Sequence, residues 1–519
     1  MVERKMRIEE MKVAKNMYGG YDKFVFAIQI IFLSIIYVCM QRFLYLYLCN
    51  SDWASENLIA HTLYEEKKLI SQNIYYNSEI RFLDEQLLQA ILFFLGIESW
   101  KYNRILANTI CFVAILIVME KIFSTLDIVK SRKYTFLTGI IMICPFSYAY
   151  ADAYTYGGFY LWKMFIALIM IYVFLQAKHG GRRSWILSCL IAFYSGIYGI
   201  RLLLVVIIPL LTVDMLYRWK GEDKTPYILS WGICTGALMG YAVNTFICKK
   251  YSVQDMGALK FVDLTQKTLL IRISEIADKI LEFAGYISNA EVFSLNGIHN
   301  LLAIIFFAGN VIVLLSVYKI YKGSKELWYV QMALVSLGIN SLAMILTDMS
   351  QARYFIFNFM LLVPVYALYL NRKKLLTIPI MLCFLLAGFS TIVYKSGNGG
   401  YYEWQIPNSE RMQSINFLEE NNYRFGYASY WNANIITEFT DGDICVSGFW
   451  NLDAMEHFKW NSLKKYEDPC LEKVFLLLTN VEAEKLTDRI SVSTVYRDDV
   501  FTIYEYPTTE TYKLEIGRA

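Results

Sequence analysis

The stretch Gly196-Ile197-Tyr198-Gly199-Ile200-Arg201 interrupts an otherwise continuous apolar run from Trp185 to Tyr217, and its reading decides the fold. As one long tilted helix, the run would cross a bilayer once and invert everything after it. Split at Gly199, it crosses twice. A bilayer core takes about 20 apolar helical residues, because a helix satisfies all its backbone groups without water. With the split, eleven segments pass that test: 24–48, 102–124, 135–153, 157–176, 184–198, 201–217, 227–248, 298–318, 327–347, 353–370 and 375–395. The basic residues favour the split. With the N-terminus inside, loops 1–23, 121–134, 178–183, 218–224, 319–325 and 371–374 hold 22 Lys and Arg. The alternate loops hold about half as many over more residues, as expected when the cytoplasmic side retains positive loops. The odd count then leaves the C-terminal part outside.

Composition agrees. Of 519 residues 56% are hydrophobic and 18% charged, which excludes a single soluble globule. The 40 Tyr, 33 Phe and 11 Trp exclude disorder. The net charge of +3 conceals +12 up to Lys395 and −9 after it, divided at Ser396-Gly397-Asn398-Gly399-Gly400. The expected organisation is a cytoplasmic segment 1–23, a transmembrane domain 24–395, a glycine-rich linker 396–400 and an extracytoplasmic α/β domain 401–519. The first span is too long for a signal-peptide core and lacks a small-residue cleavage site, so it reads as a retained anchor. In the C-terminal domain, the pattern predicts helices over 409–421, 431–439 and 481–489, with Asn480 capping the last. It predicts strands over 424–429, 443–447 and 473–479, and a hairpin of 491–497 and 500–506 around Asp498-Asp499. Cys445 and Cys470 fall together there, leaving a disulfide open.

Two loops on the outer side, 49–101 and 249–297, run to about 50 residues each, far beyond ordinary connections. The first opens with Ser51-Asp52-Trp53-Ala54-Ser55-Glu56-Asn57 and later reads Tyr76-Asn77-Ser78-Glu79-Ile80-Arg81. Both halves have amphipathic helical spacing and are expected to lie in the interface plane. The second, with Leu269, Ile273, Ile276, Ile280 and Phe283, reads the same way. Charge near hydrocarbon is costly and persists where it is used. Asp52 follows span one, and Asp152 lies at the turn between spans three and four. Arg201 starts span six, Arg353 starts span ten, and Lys163 lies two turns inside span four. Two carboxylates and three cations on one rim suit a phosphate-handling acid/base site. Against this stands the solvated helix end or snorkelling side chain, which is how Asp214 reads.

Other chemistry is thin. His61, His179, His299 and His457 stand singly, without metal-ligand spacing. Neither a phosphate-binding Gly-rich loop nor a Gly-x-Ser-x-Gly elbow occurs, and nothing suggests nucleic acid. The many Tyr and Trp suit an aromatic belt at the membrane edge, or stacking on sugar rings.

The pattern resembles the GT-C superfamily of membrane glycosyltransferases, which includes protein O-mannosyltransferases and aminoarabinose transferases. The matching parts are Asp52 after the first span, two helices in the first long loop, Asp152 at the next outer turn, and a soluble C-terminal domain. The strings Asp52-Trp53-Ala54-Ser55-Glu56 and Tyr76-Asn77-Ser78-Glu79-Ile80-Arg81 resemble bacterial members. The family's usual Asp-Glu or Asp-x-Asp pair is interrupted by Trp53, which bears on the metal requirement. The resemblance implies transfer of a sugar from a polyprenyl-phosphate or polyprenyl-diphosphate carrier to a glycan, lipid or protein acceptor at the outer face of the cell membrane. Asp52 would be the base, with Asp152 assisting acceptor binding or, with Asp52, a divalent cation. Arg201, Arg353 and Lys163 would meet the lipid phosphate, and Glu56, His61, Glu79 and Arg81 would shape the pocket. The competing classes are a flippase or exporter of lipid-linked glycan, a polymerase of surface polysaccharide, and a non-enzymatic envelope assembly protein. An exporter would spread ionisable groups through the depth of its spans and show repeat symmetry; here charge crowds one rim.

Overall fold

The computed structural model describes residues 2–77, 83–128, 130–178, 180–221, 226–251, 260–263, 265–324, 326–398 and 406–516. Among these, nine helices are long and apolar enough to cross a membrane. They are α1 (Val2–Leu48, spanning with Asp22–Tyr47), α4 (Trp100–Thr125), α6 (Leu161–Lys178), α8 (Ile200–Trp219), α9 (Tyr227–Tyr251), α11 (Leu295–Ile320), α12 (Leu327–Leu346), α13 (Ala352–Arg372) and α14 (Thr377–Asn398). α14 runs into the stretch expected to be linker.

Two of the eleven expected spans depart from the sequence reading. The segment expected as a straight span over 135–153 breaks after α5 (Ser131–Ile143), and Tyr148–Thr155 leaves at 108°. The cause is local: Pro145 has no N–H to continue the helix, and Ser147 restarts it by accepting a bond from the Tyr150 N–H. Counted as one span, this pair brings the number to ten. The segment expected over 184–198 becomes α7 (Arg182–Ile197), whose 16 residues reach about 24 Å at 1.5 Å per residue, short of the ~30 Å hydrocarbon core. Gly232, Gly236 and Gly240 of α9 let the α7 backbone around Cys189 and Phe193 approach closely, the small-residue packing of membrane helices. The break at Gly199 stands, with φ of +79°, a conformation glycine adopts without penalty.

α13 is the central post. Its apolar window is 83% buried, against 17% for the first span. Phe146, Tyr150, Phe306, Phe359 and Phe384 form an aromatic core around it. The lipid-facing residues are single large apolar side chains, such as Ile28, Phe32, Ile304 and Leu385.

The first long loop forms α2 (Ser51–Glu66) and α3 (Glu85–Phe94). α2 does not lie flat in an interface with one face wet, as expected. Its residues from Ser51 through Leu63 are buried except Asp52 and His61, because the C-terminal domain covers the side that the bundle leaves open. The second loop forms α10 (Gln266–Phe283), with Ile276 and Phe283 buried and Leu269 and Ile273 exposed.

The C-terminal domain is a five-stranded sheet in the order β3-β2-β5-β7-β6. A separate two-stranded ladder pairs β1 (Ile74–Tyr75), from the first long loop, with β4 (Ser462–Leu463). β2 (Phe425–Ser429) is parallel to β3 (Cys445–Phe449) and β5 (Glu472–Thr479), whereas β7 (Phe501–Thr508) runs antiparallel to β5 and β6 (Thr494–Arg497). Helices α15 (Asn408–Glu420), α16 (Tyr430–Phe439), α17 (Asn480–Lys485) and α18 (Thr509–Ile516) complete it. Thr479, not Asn480, caps α17, in a reciprocal box with Glu482. The predicted hairpin closes on Asp498, whose carboxylate accepts from the Val500 and Phe501 N–H groups. Cys445 and Cys470 are free thiols, so the disulfide left open does not form.

Candidate functional site

Asp52 occupies the first turn of α2, whose N-cap Asn50 accepts from the Trp53 N–H. Its carboxylate accepts a 2.6 Å bond from the Tyr430 hydroxyl of α16, which reaches it from the C-terminal domain. Trp53, the residue that interrupts the acidic pair of the resembled family, turns the other way. Its indole N–H donates to Asp152 at 2.7 Å, and Asn50 Nδ2 reaches the same oxygen at 3.3 Å. The start of one helix thus holds both carboxylates, Asp52 as a member and Asp152 through two side-chain donors. The 108° bend delivers Asp152 here, within a widened π-helical turn, Ala151–Tyr156. The following Gly157 is sterically required, because a Cβ there would strike the Trp53 ring.

The cations approach from the other side. Arg353, at the start of α13, lies in the electrostatic field of Tyr160, Asp52, Asp152 and Tyr354. Its Nε donates to Gln351 Oε1 at 2.6 Å. Arg201, at the start of α8, donates to the Tyr160 hydroxyl at 2.9 Å, with its guanidinium 4.5 Å from the Tyr354 ring. Tyr160 and Tyr354 therefore join the two arginines. Lys163, buried on α6, lies one turn from Tyr160 and 6.0 Å from the Tyr198 ring centroid. Asp52, Asp152, Arg353 and Arg201 are brought to one place at the base of the C-terminal domain, with Lys163 adjoining through Tyr160.

Glu56 and His61 face elsewhere. Glu56 lies 3.7 Å from Arg104 Nη1, and Arg104 Nε lies 3.3 Å from Glu438 of α16. Asn57 donates to both Glu438 oxygens, and Arg104 and Glu438 are fully buried. Burial pushes the Glu438 carboxyl up, against the pull of Arg104 and Asn57. This network bolts the C-terminal domain to α2 and α4. Further bonds reinforce it: Asn408 Nδ2 to the Cys49 carbonyl, and the Trp100 N–H to Asp441. His61 packs against Phe93 and Trp100, and burial lowers its pKa against the opposing charge of Glu65. Glu79 and Arg81 lie outside the described residues.

Asp214 corrects the sequence reading of a solvated terminus. It is fully buried, 2.5 Å from Arg218 and 3.2 Å from Lys178, and accepts from Ser230. Among the described residues, no group of three or more His, Cys, Asp or Glu could hold a metal ion. The lone pairs of Asp52 and Asp152 also take bonds from neutral donors, so we assign no metal ligands.

Sequence reasoning missed Tyr430, Tyr160 and Tyr354, because tyrosines are too numerous here for any one to stand out. It also missed Asp84 and Glu85, buried at the start of α3. Asp84 caps α3 by accepting from the Gln86 N–H.

No family model matches the chain, and no curated protein matches it. Its architecture, a helical bundle with two long helical loops and a small sheet domain at the end, has a counterpart among solved structures. One such structure is ArnT from Cupriavidus metallidurans bound to undecaprenyl phosphate. It matches with a TM-score of 0.57 over 93% of this chain and 97% of that one. At 9% sequence identity, the fold is what the two share.

Proposed function

We propose that the protein is a glycosyltransferase that moves a sugar from a polyprenyl-phosphate or polyprenyl-diphosphate carrier to an acceptor hydroxyl at the outer face of the cell membrane. On this reading the bent pair and the short α7 each complete a crossing beside the nine longer helices, so that eleven crossings place the N-terminus in the cytoplasm and the C-terminal domain outside, in keeping with the distribution of Lys and Arg. The acceptor is a cell-envelope glycan, lipid or protein. One observation carries the reading. Within an ArnT-like fold, Asp52 and Arg353 lie in one another's field, yet neither forms an ion pair among the described residues. Opposite charges each fixed by a neutral partner, and not by one another, keep their charge for a substrate.

The chemistry follows from that placement. Asp52 accepts the proton of the acceptor hydroxyl as its oxygen bonds to the anomeric carbon of the donor sugar. The bond from that carbon to the carrier phosphate oxygen breaks, its electron pair leaving with the phosphate. Arg353 and Arg201, fixed by Gln351, Tyr160 and Tyr354, stabilise the charge that develops there. Lys163 extends the cationic side. Asp152, held by Trp53 and Asn50, orients the acceptor. The test is transfer from a panel of labelled polyprenyl-phosphate sugars by purified protein, comparing wild type with Asp52→Asn. Activity retained in Asp52→Asn removes the assigned base. A well-folded wild type inert toward every carrier rejects the enzyme in favour of an exporter.

A further inference from the structure

Trp450, Phe458 and Trp460 of the segment after β3, with Trp431 beside Tyr430 at the start of α16, carry aromatic rings that the chemistry above does not use. Tyr430 lies 5.1 Å from Phe458 and 6.0 Å from Trp450, centroid to centroid. Trp431 lies 6.2 Å from Trp450, and Trp450 lies 5.3 Å from Phe458. Phe458 and Trp460 are nearly parallel, at 15°. Tyr430 is buried, Trp431, Phe458 and Trp460 are partly covered, and Trp450 is 61% exposed. The rings form a shelf with one open face, and the Tyr430 hydroxyl at its inner edge is bonded to Asp52.

The shelf is held rigidly. His457 lies 2.8 Å from Ser447 Oγ through Nδ1 and 3.0 Å from Ser462 Oγ through Nε2. The Phe458 N–H donates to the Gly448 carbonyl at 2.7 Å. A rigid indole with polar neighbours suits the C–H face of a pyranose, whose hydroxyls stay wet while its ring buries apolar surface. A membrane surface is the poorer occupant. Asp453 and Glu456 are exposed in this segment, and Lys459 is engaged by Glu467 at 2.5 Å, so anionic headgroups would be repelled.

Resting on the proposed transfer, we infer that this shelf is the acceptor subsite and that the acceptor is a glycan. One of its pyranose rings lies on Trp450 and Phe458, and its attacking hydroxyl points past Tyr430 to Asp52. The experiment titrates the purified full chain, without donor, with maltotetraose, cellotetraose, mannotetraose and chitotetraose, and follows tryptophan fluorescence. At least one of them is expected to give a saturable change. Trp450→Ala should weaken that binding at least tenfold and Trp450→Phe by no more than about threefold, the scale of a stacked aromatic contact. Trp219→Ala, exposed on α8 and remote in sequence, controls for general effects. No response to any of the four, or equal affinity in Trp450→Ala, overturns the inference. So does quenching of Trp450 by brominated acyl chains in nanodiscs, which would make the shelf a membrane anchor. Because binding is read without donor, glycan binding with no carrier turnover sinks the transferase and leaves the subsite. Turnover indifferent to Trp450 does the reverse.

Discussion

Two groups of charges in this chain are handled in opposite ways. Around Asp214, the carboxylate touches Arg218 at 2.5 Å and Lys178 at 3.2 Å, with Ser230 bonded to both Asp214 and Arg218. Around Asp52, the carboxylate takes a tyrosine hydroxyl and Arg353 takes a glutamine oxygen, while the two ions feel one another without pairing. The first arrangement is saturated: each charge is neutralised where it stands, so no ligand gains by entering. The second keeps its charges positioned by neutral groups, and their mutual attraction can be improved by inserting something polar. A buried ion pair is weak evidence for function; a fixed and unpaired couple is stronger evidence.

The sharpest way to break that contrast is to neutralise one carboxylate of each kind. Asp52→Asn is expected to lower the transfer rate by about 10²–10⁴-fold, the usual contribution of a general base, with the thermal midpoint nearly unchanged. Asp214→Asn should do the opposite. Leaving Arg218 and Lys178 without their counterion should destabilise the fold by about 3–5 kcal/mol, seen as a lowered midpoint in detergent, while the surviving folded fraction keeps its rate per molecule. If Asp214→Asn slows turnover in well-folded protein, or Asp52→Asn unfolds it, the division between structural and functional charge is wrong.

How much of this was written locally in the chain follows the same line. Spans are legible because the bilayer imposes length and apolarity on contiguous residues. The Gly199 break shows as glycine, and the sheet domain's strands show as period-two runs between turn residues. What was not legible depends on contacts between distant residues. Asp214 looked like any helix-end carboxylate until Lys178 was seen beside it. Pro145 sat inside an apolar run, and only the restart at Ser147 shows that the helix turns through 108° and so delivers Asp152. Tyr430 is 378 residues from Asp52, and no sequence period connects them.

A smaller effect tests the shelf beside Asp52 by pH. Burial holds the His457 pKa down at about 4, against an ordinary 6.5. As pH falls from about 6.5 to 4, the unfolded chain therefore takes up a proton that the folded chain refuses, and stability is lost across that window. Allowing for the partial exposure of the ring, the loss is about 2 kcal/mol at pH 4. Thermal melts of the full chain between pH 4 and 7 should show this slope, and His457→Gln should remove the part between 6.5 and 4. An unchanged slope in His457→Gln would mean that other groups titrate there.

The smallest effect separates positioning from packing at Tyr430. Tyr430→Phe keeps the ring against Phe458 and Trp450 but removes the hydroxyl that donates to Asp52. One hydrogen bond to a carboxylate contributes about 1–2 kcal/mol, so kcat should fall by roughly 5–30-fold. A tyrosine that only packed would leave the rate unchanged, because phenylalanine fills the same space. The size of that drop decides whether the C-terminal domain takes part in the site or merely covers it.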